Sequence, residues 1–104
     1  MNVKKLLGRR IQEIRKRRRL TQEMVSEYAG IDPKSLSNIE TGKYYPSADN
    51  LERIIQILDT TPAALFTFEH LEAEDNLLEQ INDMLKQHPE RIQDVYKITK
   101  GLIT

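Results

Sequence analysis

Hydrophobic residues along this chain recur at steps of three and four. No stretch alternates with the period of two that a half-buried strand requires, so the pattern predicts an all-α protein. A first helix runs from about Val3 to Arg18, with an apolar stripe of Val3, Leu7, Ile11 and Ile14. Leu20 then begins a short connection. Thr21 is a good N-cap, because its hydroxyl accepts from an unpaired amide of the first turn, and Gln22-Glu23 suits that turn. The second helix is short and stops at Gly30, which adopts the left-handed conformation of a tight turn without a Cβ clash. Asp32 caps a third helix, and Pro33 takes its first position, where no amide hydrogen is missed. Leu36 and Ile39 mark one side of this helix, which ends near Thr41-Gly42. After a loop with Pro46, Ser47 or Asp49 starts a fourth helix carrying Leu51, Ile54, Ile55 and Leu58. Thr61 caps a short fifth helix, with Pro62 near its start and Leu65 and Phe66 on its inner face.

The boundary falls near Glu69, which divides the chain into residues 1–68 and 69–104. Beyond it, Leu71 to Gln87 reads as a longer acidic helix with Leu77, Leu78, Ile81, Met84 and Leu85. Pro89 restarts the chain in a last helix with Ile92, Val95, Ile98 and Leu102. These two apolar faces suggest a helical hairpin. The chain carries neither repeats nor a low-complexity tract.

Composition narrows the function. Among 104 residues there is no cysteine, which excludes a disulfide framework and a thiolate metal site. His70 and His88 are too few and too far apart to suggest a metal centre. They read as loop and cap residues, and no Ser-His-acid order is present, so no enzyme is expected. Glu69, Glu72, Glu74 and Asp75 lack a calcium-loop pattern and suit a helix N-terminus. No apolar run approaches the roughly 20 residues needed to cross a bilayer, and residues 1–7 lack the apolar stretch of a signal peptide. The expectation is a soluble protein of a reducing cytoplasm, without cofactor, metal or membrane. The formal net charge is zero, from 16 basic and 16 acidic residues. Up to residue 68 there are 12 Lys/Arg and 8 Asp/Glu; beyond it there are 4 and 8. Such a split suits a basic part that faces a polyanion and an acidic part with another task.

Two short helices joined through Gly30 form a helix-turn-helix candidate over Thr21 to Thr41. The segment LTQEMVSEYAGIDPKSLSNIETGKYYPS carries the signal. Leu20-Thr21-Gln22-Glu23, Gly30-Ile31, Ile39-Glu40-Thr41-Gly42-Lys43, Pro46 and the Leu51/Leu58 helix resemble the Cro and phage-repressor type of domain. This is the lambda-repressor-like (XRE) family of helix-turn-helix DNA-binding proteins, and the resemblance covers about Lys4 to Phe66. It implies a five-helix DNA-binding domain, here followed by two additional C-terminal helices. The pattern departs at Ser26, where the family has a small Ala, and at Met24 and Tyr28, where it has hydrophilic residues. Ser26 is small enough to keep two helices close. Met24 and Tyr28 share a helix face and are either exposed or covered by the C-terminal helices.

With Leu36 and Ile39 behind it, the third helix turns Pro33, Lys34, Ser35, Ser37 and Asn38 outward. Lys34 can donate to guanine O6 and N7, and Asn38 can pair with adenine N6 and N7. The resemblance places Lys34, Ser35 and Asn38 at base-facing positions in the major groove, with Ser37 beside them, so helix 33–41 is the expected reading element. The competing reading of each is an exposed polar residue on a solvated helix. Thr21 and Gln22 open the second helix, where amide donors and the dipole favour an anion, and the resemblance gives Gln22 a phosphate role. Lys43, Tyr44 and Tyr45 are placed to hold the other flank. The run Arg15 to Arg19 divides: the resemblance implies a largely buried structural pair of Arg15 with Glu40, while Arg17 to Arg19 suit a helix end or steer DNA. Lys4, Lys5, Arg9 and Arg10 either reach phosphates or stay solvated.

One unit touches one half-site, so specific binding calls for two copies on a palindrome. That need points to residues 69–104 as a homodimer interface through Leu77, Ile81, Met84, Leu85, Ile92, Val95, Ile98 and Leu102. The sequence thus points to a dimeric repressor of transcription on double-stranded DNA. The alternative is a protein-interaction module, antitoxin-like or controlled by a protein antagonist, in which the C-terminal helices bind another protein.

Overall fold

The computed structural model describes residues 2–104. Among these, seven α-helices follow one another: α1 Val3–Arg17, α2 Gln22–Ala29, α3 Pro33–Glu40, α4 Ala48–Ile57, α5 Pro62–Leu65, α6 Glu69–Gln87 and α7 Ile92–Ile103. A 3-10 turn, Pro89–Arg91, precedes α7. No strand occurs among the described residues. The chain divides into two compact units, residues 1–68 and 69–104.

In the first unit, every helix starts on a side chain that accepts a hydrogen bond from the amide three residues ahead. Asn2, Thr21, Asp32, Ser47 and Thr61 accept from Lys5, Met24, Ser35, Asn50 and Ala64. Each such cap stabilises its helix by about 0.5–2 kcal/mol. Gly30 ends α2 in the left-handed region, with φ at 74°. Asp32 accepts from both the amide (2.8 Å) and the hydroxyl (3.1 Å) of Ser35. The amide bond is the larger cause holding its carboxyl below the ordinary value.

The core joins Leu7, Ile11 and Ile14 of α1 to Val25, Ala29, Leu36, Ile39, Ile54, Leu58 and Leu65. Three positions differ from the sequence reading: Phe66, expected on the inner face of the fifth helix, is 37% exposed as the C-cap of α5, and the other two lie on α1. Val3 is 36% exposed and Leu6 is buried in its place, because Val3 is the first residue of α1 and lies at the rim. Arg10 is also buried. Its Nε donates to the Ala64 carbonyl at 3.1 Å, and its guanidinium pairs with Glu13. It lies at helical spacing between Leu6, Leu7 and Ile14, on the inward face, and so is not a phosphate-reaching cation.

Other arginines close helix ends. Arg18 donates to the carbonyls of Leu58 (3.1 Å) and Asp59 (2.9 Å) after α4. Arg53 donates to Ala29 at the end of α2 (3.2 Å). The last carbonyls of a helix lack intrahelical partners, and cations there also meet the negative end of the dipole.

Arg15 and Glu40 form a bidentate pair: Nε donates to Oε2 at 2.7 Å and an Nη to Oε1 at 3.0 Å. Their side chains are only 10% and 1% exposed. The other Arg15 Nη donates to the Leu20 carbonyl at 2.9 Å, and the Gln22 amide donates to Glu40 Oε1 at 3.0 Å. Close beside this network, α1 rests on the last turn of α3. A Cβ on Gly8 would stand 2.2 Å from the Ile39 carbonyl oxygen and 2.6 Å from that of Glu40.

Within the second unit, α6 starts at Glu69, two residues before the sequence reading put it, and a 3-10 turn intervenes before α7. His70 accordingly lies inside α6 rather than in a loop, and His88 stands just before the turn. Both long helices meet this turn but touch one another little. Leu71 is the one buried residue of this unit. Leu85 and Val95 are half-buried, whereas Leu77, Ile81, Met84, Ile92, Ile98 and Leu102 are exposed. No helix among the described residues is long and apolar enough to cross a membrane.

Two stability outcomes follow from these contacts. Glu40→Ala strands the Arg15 guanidinium and is expected to lower stability by about 3–5 kcal/mol in urea unfolding. Gly8→Ala forces α1 away from α3 and is expected to cost about 1–3 kcal/mol or more. A Gly8→Ala variant as stable as the parent would contradict so close a seating.

Candidate nucleic-acid interface

Local chemistry builds the α2–α3 pair. Thr21 caps α2, Gly30 turns the chain left-handed, and Asp32 with Pro33 starts α3 two residues later. The buried Val25, Ser26 and Ala29 of α2 allow the two helices to pack closely. Ser26 fits because its hydroxyl donates to the Glu23 carbonyl at 3.1 Å, leaving no unpaired polar group. Met24 and Tyr28 are each 52% exposed, and the Tyr28 hydroxyl lies 3.4 Å from Gln56 Oε1.

On α3, Leu36, Ile39 and Glu40 face inward and are buried. The opposite face carries Lys34, exposed, and Ser37 and Asn38, partly exposed. These three stand at i, i+3 and i+4, hence together on one side of the helix. Ser35 sits beside them but its hydroxyl donates to Asp32. α3 ends at Glu40, with Thr41 as its C-cap. The chain then folds back, since the amides of Lys43 and Tyr44 donate to the Asn38 carbonyl at 2.9 and 3.3 Å. This brings the Lys43-Tyr44-Tyr45 loop, exposed throughout, against the end of α3. The Lys43 ammonium lies 5.6 Å from the Tyr44 ring centroid.

At the other edge, Thr21 is occupied as the cap of α2, accepting from the Met24 amide at 3.1 Å. Gln22 is half-buried and its side chain is held on Glu40. The sequence reading left Lys5 open; its backbone packs on Gly42, whose φ is +80° and where a Cβ would stand 2.7 Å from the Lys5 Cα. Lys5 is exposed there, beside the loop that carries Lys43. The pair Arg15–Glu40 lies behind α3, not on its outer face. Sequence reasoning missed Gly8, Arg10, Arg18 and Arg53 as positioning residues. Helical spacing marks Arg10 as inward-facing, but nothing local marks the other three.

No group of three or more His, Asp or Glu side chains among the described residues is arranged to hold a metal ion. The arrangement offers a polar helix face with lysines at both ends, shaped to meet a polyanion with spaced acceptors.

Comparison with known proteins is in keeping with this geometry. A family model described as a helix-turn-helix domain matches residues 8–70. The immunity repressor protein of Bacillus phage phi105 is 35% identical over 95 residues, covering 88% of this chain. The chain spans 65% of that repressor's length. Among solved structures, the restriction-modification controller protein C.AhdI from Aeromonas hydrophila matches 60% of this chain and 94% of its own, with TM-score 0.57 and 29% identity. The complex of SinR protein with SinI protein contains a chain matched over 91% of this one and 98% of its own, with TM-score 0.58 and 25% identity. With most of α1, all of α2 to α5 and the turn at Gly30 inside the matched residues, the chain belongs to the helix-turn-helix domain family.

Proposed function

We propose that this chain is a sequence-specific DNA-binding transcriptional regulator, a dimeric repressor that seats α3 in the major groove of a palindromic operator. The observation that carries the reading is the two-sidedness of α3. Its back is buried while Lys34, Ser37 and Asn38 stand together on its outer face. An α-helix fits the major groove, where base edges present distinct donors and acceptors. Lys34 would donate to guanine and Asn38 would pair with adenine, with Ser37 alongside and Ser35 after release from Asp32. Lys43, Tyr44 and Tyr45 would hold phosphates on one flank, and Thr21 with Gln22 at the start of α2 would hold them on the other. Because the Gln22 side chain is held on Glu40, its amide nitrogen at the helix start is the group best placed for phosphate.

Repression is supported by similarity to a phage protein named as a repressor. Binding across a promoter would act by occlusion, with no cofactor and no catalysis. Two copies would supply two half-sites, paired through the apolar faces of residues 69–104. A second reading is favoured by one observation. Similarity to a chain of the SinR/SinI complex, an assembly of two different proteins, extends over 91% of this chain and so includes the exposed apolar unit. The same faces would then receive a protein antagonist.

Selection of bound duplexes from a random pool is expected to enrich a palindrome with half-sites about one helical turn apart, or a multiple of it. Weak, salt-sensitive binding without enrichment would defeat the reading. Lys34→Ala or Asn38→Ala is expected to cost roughly 1–3 kcal/mol at the enriched site and to relax one base position. Lys43→Ala should instead weaken all sequences alike and reduce the salt slope by about 1, measured by titration at several salt concentrations.

A further inference from the structure

An anion stands at the start of the helix that would enter the groove. Asp32, the N-cap of α3, is exposed. Its Oδ1 accepts from the Ser35 amide at 2.8 Å, and its Oδ2 accepts from the Ser35 hydroxyl at 3.1 Å. The Ser35 amide, and next the hydroxyl, hold this carboxyl below the ordinary carboxylate range, so it is ionised at neutral pH. Resting on the DNA reading above, we propose that Asp32 decides which bases Ser35 reads. The Asp32–Ser35 pair selects the amino group of cytosine or adenine in the major groove and rejects guanine and thymine on the strand it faces.

Three arguments support this. The first counts protons. A serine hydroxyl has one proton and two acceptor lone pairs. The Ser35 proton goes to Asp32, so Oγ has only lone pairs to offer a base. Release from Asp32 is needed only for Ser35 to donate; held as it is, it accepts. The carboxylate likewise accepts and never donates. In the major groove cytosine N4 and adenine N6 are donors, whereas guanine O6 and N7 and thymine O4 are acceptors. An acceptor set against an acceptor leaves both desolvated and unpaired, which is costly. The second argument is placement. Ser35 is partly exposed, next to Lys34 and three residues before Asn38, hence on the Asn38 side of the helix. Base edges are met by the N-terminal residues of such a helix. Lys34 only donates and suits guanine, while the pair beside it only accepts, so the two discriminate in opposite senses. The third argument is charge. Asn2, Thr21, Ser47 and Thr61 cap α1, α2, α4 and α5 without charge, and the one charged cap of the five stands on α3. Capping does not require that charge, because Asn and Ser cap as well as Asp. A carboxylate near phosphates weakens binding to every duplex. It raises discrimination where an amino group meets it, because the wrong base then faces an unpaired charge.

Duplex selection from a random pool, with the full chain and two variants, tests this. Asp32→Asn keeps the cap but sets an NH2 donor against the Ser35 oxygen, which frees the hydroxyl proton. Ser35→Ala keeps the cap and removes the hydroxyl. The parent is expected to favour cytosine or adenine over guanine and thymine by roughly tenfold at one position of each half-site. Asp32→Asn is expected to lose most of that preference and to bind an unselected mixed-sequence duplex more tightly, most clearly at low salt. Ser35→Ala is expected to weaken the same preference without that gain. Circular dichroism checks that both variants are helical, and if Asp32→Asn is not, Ser35→Ala decides alone. Three outcomes overturn the proposal. One is helical variants that enrich the parent's operator unchanged. Another is a parent preference for guanine or thymine at the position that Ser35→Ala alters, as a released, donating hydroxyl would give. The last is an Asp32→Asn variant that loses affinity for all duplexes alike, as a purely structural cap would give. Lys34→Ala, run alongside, separates the two readings. If it relaxes one base position while the other variants relax none, α3 still reads DNA and only the role of Asp32 falls. A parent that enriches no sequence removes the DNA reading and this one with it.

Discussion

The bidentate contact between Arg15 and Glu40 ties three helices at one point, and the presentation of α3 depends on it. Arg15 belongs to α1, Glu40 is the last residue of α3, and Gln22 joins from the first position of α2. Both charges are removed from water, and a buried pair repays its desolvation only when the geometry is good and the remaining donors and acceptors are used. Here they are used. Glu40 accepts twice from Arg15 and once from Gln22, while Arg15 also donates to the Leu20 carbonyl. The network is directional, whereas the apolar contacts of Leu36 and Ile39 are not. It therefore fixes the end of α3 against α1 where packing alone would permit sliding. Gly8 completes the constraint by letting the α1 backbone touch the carbonyls of Ile39 and Glu40.

Positive charge in the first unit has two tasks. The count of 12 Lys/Arg suggests a broad cationic surface, yet Arg10, Arg15, Arg18 and Arg53 all donate to carbonyls of other segments. Arginine suits this work because its several N–H groups and long stem reach an exposed helix end while the charge meets the dipole. The lysines are placed differently. Lys5, Lys34 and Lys43 are exposed around α3 and its following loop. The charge presented to a ligand is thus smaller than the total and more concentrated on one face.

The two units rest on different physics. Residues 1–68 enclose a core in which helix caps, buried apolar side chains and arginine contacts agree with one another. Residues 69–104 form helices of good periodicity but bury little of their apolar surface. Isolated amphipathic helices gain most of their stability from packing rather than from propensity. Residues 1–68 thus bury their own apolar faces, whereas residues 69–104 leave most of theirs exposed.

What the sequence determined by itself was local. The five N-terminal helices, their caps at Thr21, Asp32 and Thr61, the left-handed turn at Gly30 and the inward Leu36/Ile39 all rest on residues within a few positions of one another. There, hydrogen-bond reach and the 3.6-residue period set the outcome. The outward face of α3 was legible for the same reason. The tertiary structure alone decided what depends on partners distant in the chain. Arg10, Arg18 and Arg53 donate to carbonyls 54, 40 and 24 residues away, and carbonyls carry no residue-specific signal. Gly8 matters only because another helix's backbone comes to rest on it. The openness of residues 69–104 belongs to the same class: periodicity shows which side chains share a face, and only the fold shows whether anything in the chain covers them.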